Sequence, residues 1–359
     1  MHTFTKALLT TALALAGRAA AAQTLYDNFE TTRLVTYSYV DGTLNQAAAN
    51  PGSSTANSST TCASFARDGS QQYATIVLAP KAAVVASIDE MLAMDLDGVV
   101  IASPSALHAE QSIMALRAGA AVFCQKPLGR SAAEAAAVVD AARAADRLLG
   151  VDLSYRFTDG VAKIAEVVRG GGLGRVHAVD LVFHNAYGPD KPWFYDRAQS
   201  GGGCVMDLGV HLVDLALWVL GFPAVERVES HLYAGGVPLS GDAVEDFAVA
   251  TLTLAGGTVV RLACSWRLHA GRDAVIEASF YGSEGGAGFR NVDGSFYDFV
   301  ADRWRGTAAE RLSAGDADWG GRAGVDWCRR LAAGERFAEE AARLVDVSAA
   351  LDGIYEGFR

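Results

Sequence analysis

The 359-residue sequence lacks several things that define common protein classes. It has no unbroken apolar run of the ~20 residues that a membrane helix requires, so no membrane span is expected. Its five cysteines (Cys62, Cys124, Cys204, Cys264 and Cys328) are odd in number, far apart and free of any CxxC or Cys/His spacing. That excludes a zinc knuckle and a disulfide scaffold. Basic residues are in deficit, 30 Lys and Arg against 41 Asp and Glu, for a net charge of −11. Nucleic acid and anionic lipid both select a basic footprint, so neither is an expected partner. What is present is apolar material: 51% of residues are hydrophobic, enough for substantial cores, and the length suits two domains.

The material is unevenly distributed. Residues 1–22 read as a secretion signal: Lys6, an apolar stretch at 7–16, and Ala20-Ala21-Ala22 before Gln23. Residues 23–81 are rich in Ser, Thr, Asn and Gln, with strand-like alternation at 34–40 and 73–78 and a turn at Asn50-Pro51-Gly52, so they read as a β-type segment. From about residue 82 the character changes. The first 81 residues carry five Lys/Arg and four Asp/Glu, so all of the net acidity belongs to the remainder.

That remainder first alternates strand and helix. Apolar runs at 98–102, 120–124 and 148–153 predict doubly covered parallel strands. Between them, Ser105 and Gly119 bracket one helix, and Ser131-Ala132-Ala133-Glu134 is a capping box that opens another. Beyond Tyr155 the pattern predicts a helix at 158–169, long strands at 176–187, 226–234, 245–254, 258–268 and 274–281, an apolar helix at 204–220, and a final helix at 338–358. The expected fold is α/β: a truncated Rossmann-like parallel sheet over 82–155, then an α+β domain over 156–359 with a large, mostly antiparallel open sheet.

Two short stretches carry chemistry. Cys124-Gln125-Lys126-Pro127 follows a parallel strand at its carboxyl end, where open α/β sheets bind ligands. A partly desolvated lysine there can polarise a hydroxyl or carbonyl, while the plain alternative is a solvated turn lysine. In Gly201–Asp214, residues Asp207, His211 and Asp214 fall at i, i+4 and i+7, one face of a helix. Three readings follow: a general base whose tautomer is set by Asp207, a core histidine, or a metal site of Asp207, His211 and Asp214.

Taken together, these stretches resemble the Gfo/Idh/MocA family, the glucose–fructose oxidoreductase and inositol dehydrogenase relatives. The resemblance runs through Asp97-Gly98-Val99-Val100-Ile101-Ala102-Ser103-Pro104-Ser105-Ala106-Leu107-His108, Cys124-Gln125-Lys126-Pro127-Leu128, the segment from His184 to Asp196, and Gly201 to Asp214. It implies an NAD(P)-dependent oxidoreductase that moves hydride between a sugar or polyol carbinol and NAD or NADP. It assigns catalysis to Lys126, Asp207 and His211: His211 takes the hydroxyl proton, Lys126 steadies the alkoxide and Asp207 orients the imidazole. Ser103, Pro104, His108, Gln125 and Lys126 would bind the cofactor, with Gln125 where glutamate is more usual. Tyr155, Arg156, Asn185, Tyr187, Trp193 and His211 would line the substrate pocket. A homo-oligomer formed through the C-terminal sheet is also implied.

The sequence departs from that pattern in one respect. A Rossmann domain opens with a G-x-G-x-x-G loop whose amides hold the pyrophosphate, and residues 1–97 contain none. Weak or absent dinucleotide binding is therefore expected, and the alternative function is a non-catalytic exported protein that retains a carbohydrate-binding cleft. Location is read two ways: the signal-like start points to a periplasmic or secreted protein, and the oxidoreductase portion to the cytoplasm.

Overall fold

The structure is a computed structural model, and it describes residues 63–67, 70–76, 87–94, 96–315 and 319–357. The signal-like segment 1–22 and the strand expected at 34–40 lie outside the described residues. β1 (Ala63–Arg67) and β2 (Ser70–Ile76) form an antiparallel pair, the second overlapping the strand expected at 73–78.

A short helix α1 (Ile88–Leu92), capped by Ser87, precedes the first apolar strand. β3 (Gly98–Ile101), β4 (Ala121–Cys124) and β5 (Leu149–Val151) make a three-stranded parallel sheet in sequence order. Helix α2 (Ser105–Arg117) connects the first two strands and α3 (Ala132–Ala145) the second two. Their buried alanines and valines pack on one face of the sheet with Val99, Ile101, Val122 and Leu149. The cap of α2 differs from expectation. Pro104 is its N-cap and Ser105 its first helical residue, because Pro104 removes an amide and holds the extended entry. At α3 the Ser131 hydroxyl accepts from the Glu134 amide as expected, but the Glu134 carboxylate reaches back one residue further, to the Arg130 amide at 2.7 Å.

The second part is built on nine strands. Helix α4 (Asp159–Arg169), capped by Thr158, leads into β6 (Val176–Asn185). A π-helical turn at Val205–Gly209 runs into α5 (Val210–Val219). Then come β7 (Val225–Ala234), the two-residue β8 (Val237–Pro238), β9 (Phe247–Leu254), β10 (Val259–Ser265) and β11 (Ala274–Gly282). β12 (Gly286–Asn291), β13 (Phe299–Arg305) and β14 (Ala308–Ser313) complete the sheet, in the order β14-β13-β12-β11-β6-β10-β9-β7-β8. Every pairing is antiparallel except β6 with β10, which sets Ser265 beside His184 at the ends of the two strands. Strict alternation along β9 turns Ala248, Ala250, Leu252 and Leu254 toward the helices. Gly256 and Gly257, at φ of +86° and +83°, close the β9–β10 hairpin expected at that glycine pair.

Two late helices bind the parts together. α6 (Arg322–Ala332) covers the other face of the parallel sheet through Trp327, which packs on Phe123 at 5.7 Å between ring centres. The final helix expected at 338–358 is a single 3-10 turn followed by α7 (Arg343–Glu356), which packs on α3 and on β7. One described helical stretch, Arg197–Val219, is long and apolar enough to cross a membrane, but 89% of its apolar window is buried inside the protein, where it forms the core on which the large sheet closes.

Candidate active site

The site forms where the carboxyl ends of two sheets meet. β3, β4 and β5 end side by side at Ile101, Cys124 and Val151, and the segments leaving them carry Ser103-Pro104, Gln125-Lys126 and Asp152. That edge is where an open parallel sheet presents its ligand crevice. The π-helical turn at Val205–Gly209 brings Asp207 to it; such turns insert a wider coil and are frequent at functional sites.

Lys126 and Asp207, 81 positions apart, form the central contact. The Lys126 ammonium donates to Asp207 Oδ1 at 2.7 Å and to the Asp207 carbonyl at 2.8 Å. Both side chains are largely buried, at 8% and 15% exposure. Such a shielded, hydrogen-bonded pair is held far more firmly than a surface ion pair. The second carboxylate oxygen accepts from the Trp266 indole N–H at 3.0 Å. The Asp207 carboxylate is therefore held by Lys126 and Trp266.

His211 lies one turn further on, 2% exposed, with its ring edge-to-face to Tyr155 at 5.0 Å and tilted against Phe183 at 6.3 Å. Tyr155 is itself buried, packed on Phe183, Phe299 and Trp319, and so forms the aromatic wall beside His211. Arg156, expected at the substrate, is committed elsewhere. Its guanidinium pairs bidentately with Asp214, through Nε at 2.8 Å and through Nη2, and lies over Trp218 and Phe222. Asp214, at 2% exposure, is thereby taken out of the Asp207/His211/Asp214 metal reading. A forked arginine matches both oxygens of a buried carboxylate, which neither residue's sequence neighbours show.

Three of the residues assigned to the cofactor are internal braces. Both ring nitrogens of His108 face backbone carbonyls, Ser103 at 2.7 Å and Pro127 at 2.6 Å, and burial pulls its pKa below the ordinary histidine value. His108 thus ties the segment after β3 to the Lys126–Pro127 turn. Gln125 donates to Asp152 at 2.8 Å, joining the ends of β4 and β5, and the Ser103 hydroxyl donates to Gln111 at 2.7 Å. Pro104 stays half-buried at the start of α2.

On the substrate side, Asn185 ends β6 with a buried amide oxygen that accepts no hydrogen bond from the described residues. Tyr187 is 53% exposed beside Phe296, and Trp193 stacks on Phe194 at 3.8 Å. Phe194 and Tyr195 in turn pack edge-on against Trp266, at 6.3 and 5.5 Å. Trp266 therefore connects the aromatic loop to the Asp207 carboxylate. Sequence reasoning missed it, since it stands 59 positions from Asp207, at the end of a strand and in no motif.

Family sequence models match both halves. The oxidoreductase family with an NAD-binding Rossmann fold matches residues 42–153, and the GFO/IDH/MocA C-terminal domain matches residues 161–287. The chain belongs to the Gfo/Idh/MocA oxidoreductase family. The Rossmann match begins at residue 42, inside the segment set apart at 23–81. Among characterised relatives, D-glucoside 3-dehydrogenase of Escherichia coli is 31% identical over 209 residues, 55% of this chain and 60% of that protein. Levoglucosan dehydrogenase of Pseudarthrobacter phenanthrenivorans is 30% identical over 217 residues, 53% of this chain and 54% of that one. The chain thus matches little more than half the length of these relatives. Among solved structures, GenD2 from gentamicin A biosynthesis in complex with NAD superimposes with a TM-score of 0.63 at 25% identity, covering 77% of this chain and 80% of that one. An oxidoreductase domain protein from Kribbella flavida gives 0.66 at 24% identity, over 76% and 80% of the two chains, a likeness of fold.

Proposed function

We propose that this protein is an oxidoreductase using NAD or NADP to interconvert a sugar or polyol carbinol and the corresponding carbonyl. The observation that carries the reading is the buried Lys126–Asp207 pair at the end of β4, one helical turn from His211. Its support is the family membership and the sugar dehydrogenases among the relatives.

The described residues fit the nicotinamide end of a dinucleotide. Three adjacent strand ends open onto one edge, and His108 and Gln125 lock the turns that bear Ser103-Pro104 and Lys126. A nicotinamide held at that edge would supply the acceptor for hydride from the carbinol carbon. The remaining work falls to the chain. Lys126, an ammonium already held by Asp207, donates to the carbinol oxygen and steadies the charge that develops there. His211 accepts the hydroxyl proton as general base, shielded from water by Tyr155 and Phe183. The buried amide oxygen of Asn185 and the exposed ring of Tyr187 suit a polyhydroxylated substrate, accepting from a hydroxyl and covering a sugar face. Association of copies across the open face of the large sheet belongs to the same proposal. That face presents the half-buried Ala178, Val182, Val249 and Ala263.

The test is a titration of the full chain with NADH and NADPH, followed by energy transfer from its tryptophans, and then a survey of sugars and polyols. The absent G-x-G-x-x-G loop predicts binding weaker than micromolar. Turnover of at least one sugar or polyol with either coenzyme supports the function; no turnover at saturating coenzyme overturns it.

A further inference from the structure

Glu245 is a buried acid that the mechanism above does not use. It stands in the loop before β9 at 1% exposure. Its Oε1 receives three donors: the Gly203 amide at 2.8 Å, the Val205 amide at 3.0 Å and the Tyr355 hydroxyl at 2.8 Å. Its own carbonyl accepts from the Cys204 amide at 3.0 Å. Consecutive amides at 203, 204 and 205 are thus all satisfied by one residue from another part of the chain. These are the donors that a helix start otherwise leaves unpaired. The approach is so close that a Cβ on Gly203 would lie 1.9 Å from the Glu245 carbonyl oxygen, so only glycine fits there.

The segment that begins at these amides carries Asp207 and then His211. The third donor, Tyr355, comes from α7, the helix that also caps α3: Asp352 accepts from the Ala132 amide at 2.8 Å. α3 begins just after the Lys126–Pro127 turn. One C-terminal helix therefore touches the starts of both segments that supply the Lys126–Asp207 pair.

We infer that Glu245 is a positioning residue, which with Tyr355 sets the start of the Asp207–His211 segment and thereby holds the Asp207 carboxylate and carbonyl against the Lys126 ammonium. The kinetic part of this inference rests on the proposed function; the Lys126 contact does not. Removing the carboxylate charge weakens the bonds from the amides at 203 and 205 and from Tyr355, lets the turn shift and loosens both Asp207 acceptors from Lys126.

The test uses the full chain with Glu245→Gln, which keeps the size and removes the charge, and Tyr355→Phe, which removes one donor. Circular dichroism establishes that each folds. The pH dependence of Lys126 labelling by trinitrobenzenesulfonate, read on the Lys126 peptide by mass spectrometry, reports the pair without any turnover. The expected result is a labelling midpoint lower by about one pH unit in Glu245→Gln, since an ammonium that loses its carboxylate deprotonates more easily, and a smaller shift in the same direction in Tyr355→Phe. With a sugar that the wild-type chain turns over, kcat falls about tenfold in Glu245→Gln while the KM values for sugar and coenzyme stay within twofold. A folded Glu245→Gln chain with the wild-type midpoint overturns the inference, as does a loss confined to KM. Where Glu245→Gln does not fold, Tyr355→Phe decides alone: a lowered midpoint supports the inference and an unchanged one overturns it. If the wild-type chain turns over no sugar, the proposed function falls and the labelling still decides the role of Glu245.

Discussion

The Lys126 ammonium is held at 2.7 and 2.8 Å by two acceptors of one residue, so replacing it removes a charge without opening a large cavity. Lys126→Met and His211→Ala are each expected to lower turnover by ~10²–10⁴-fold, the range for loss of a positioned acid, base or charge. Steady-state kinetics on any accepted sugar measure this, and unchanged turnover in either variant removes that residue's role. Arg156 has a different fate. Its guanidinium neutralises Asp214, a carboxylate at 2% exposure, so Arg156→Ala strands a buried charge. Breaking such a pair costs ~3–5 kcal/mol, and denaturant unfolding is expected to show a loss of that order. A loss under 1 kcal/mol accompanied by a raised substrate KM would instead return Arg156 to the substrate pocket. Lys126, Asp207 and His211 were legible in the sequence because each sits in a short motif. The pairings of Arg156 and Asp207 were not: Asp214 stands in the Gly201–Asp214 stretch but 58 positions from Arg156, which no motif links to it, and Trp266 lies 59 positions from Asp207 in no motif at all.

Among the elements, the parallel sheet is packed so tightly that two of its strands need glycine. A Cβ at Gly150 in β5 would lie 2.8 Å from Trp327 Cδ1 and 3.0 Å from Phe123 Cδ2, and one at Gly98 in β3 would lie 2.6 Å from Trp327 Cη2. Neither glycine has the positive φ that would demand it on backbone grounds, so the constraint is steric. Gly150→Ala is expected to cost ~1–3 kcal/mol by overpacking. Much of that is recovered in a Trp327→Phe background, as a double-mutant cycle of denaturation curves would show. Equal losses in both backgrounds would point away from Trp327. α6, which carries Trp327, was not expected from the sequence. Neither were β12–β14: Gly286 and Gly288 break the strand pattern of β12, and exposed β14 lacks a regular apolar alternation. The strands with clean runs or alternation, β3, β4, β6 and β9, were all anticipated to within a few residues.

Across the whole molecule, burial pushes several weak acids upward together. The Cys124 thiol is raised to about 12 and the Cys328 thiol to about 11, both by desolvation. The Tyr297 and Tyr355 phenols are also raised, burial being the main cause in each. A group whose pKa is higher folded than unfolded contributes its full stability below the unfolded value and loses it as pH climbs toward the folded one. For the thiols that window opens near pH 9 and closes at about 11 for Cys328 and about 12 for Cys124. Urea midpoints are therefore expected to hold from pH 7 to about 8.5 and then fall steadily, less steeply in a Cys328→Ala variant. In the folded chain Cys124 and Cys328 are also expected to resist iodoacetamide at pH 8, since almost none of either is thiolate. A midpoint that rises above pH 9, or rapid labelling of Cys124, would contradict this.

The sequence by itself determined the class of the fold and marked the residues proposed to carry the chemistry. Apolar runs bounded by caps mark buried parallel strands, period-two alternation marks a sheet with one covered face, and the Lys126 and Asp207–His211 stretches are local enough to read directly. Tertiary structure alone decided which group answers which. It matched Asp207 with Lys126 and Trp266, Arg156 with Asp214, His108 with two carbonyls, and Glu245 with the amides at 203 and 205. The reason is physical. Local pattern records how deeply a side chain will be buried, because burial follows the period of its own strand or helix. The partner that a buried polar group must find comes from whichever distant segment the packing brings beside it.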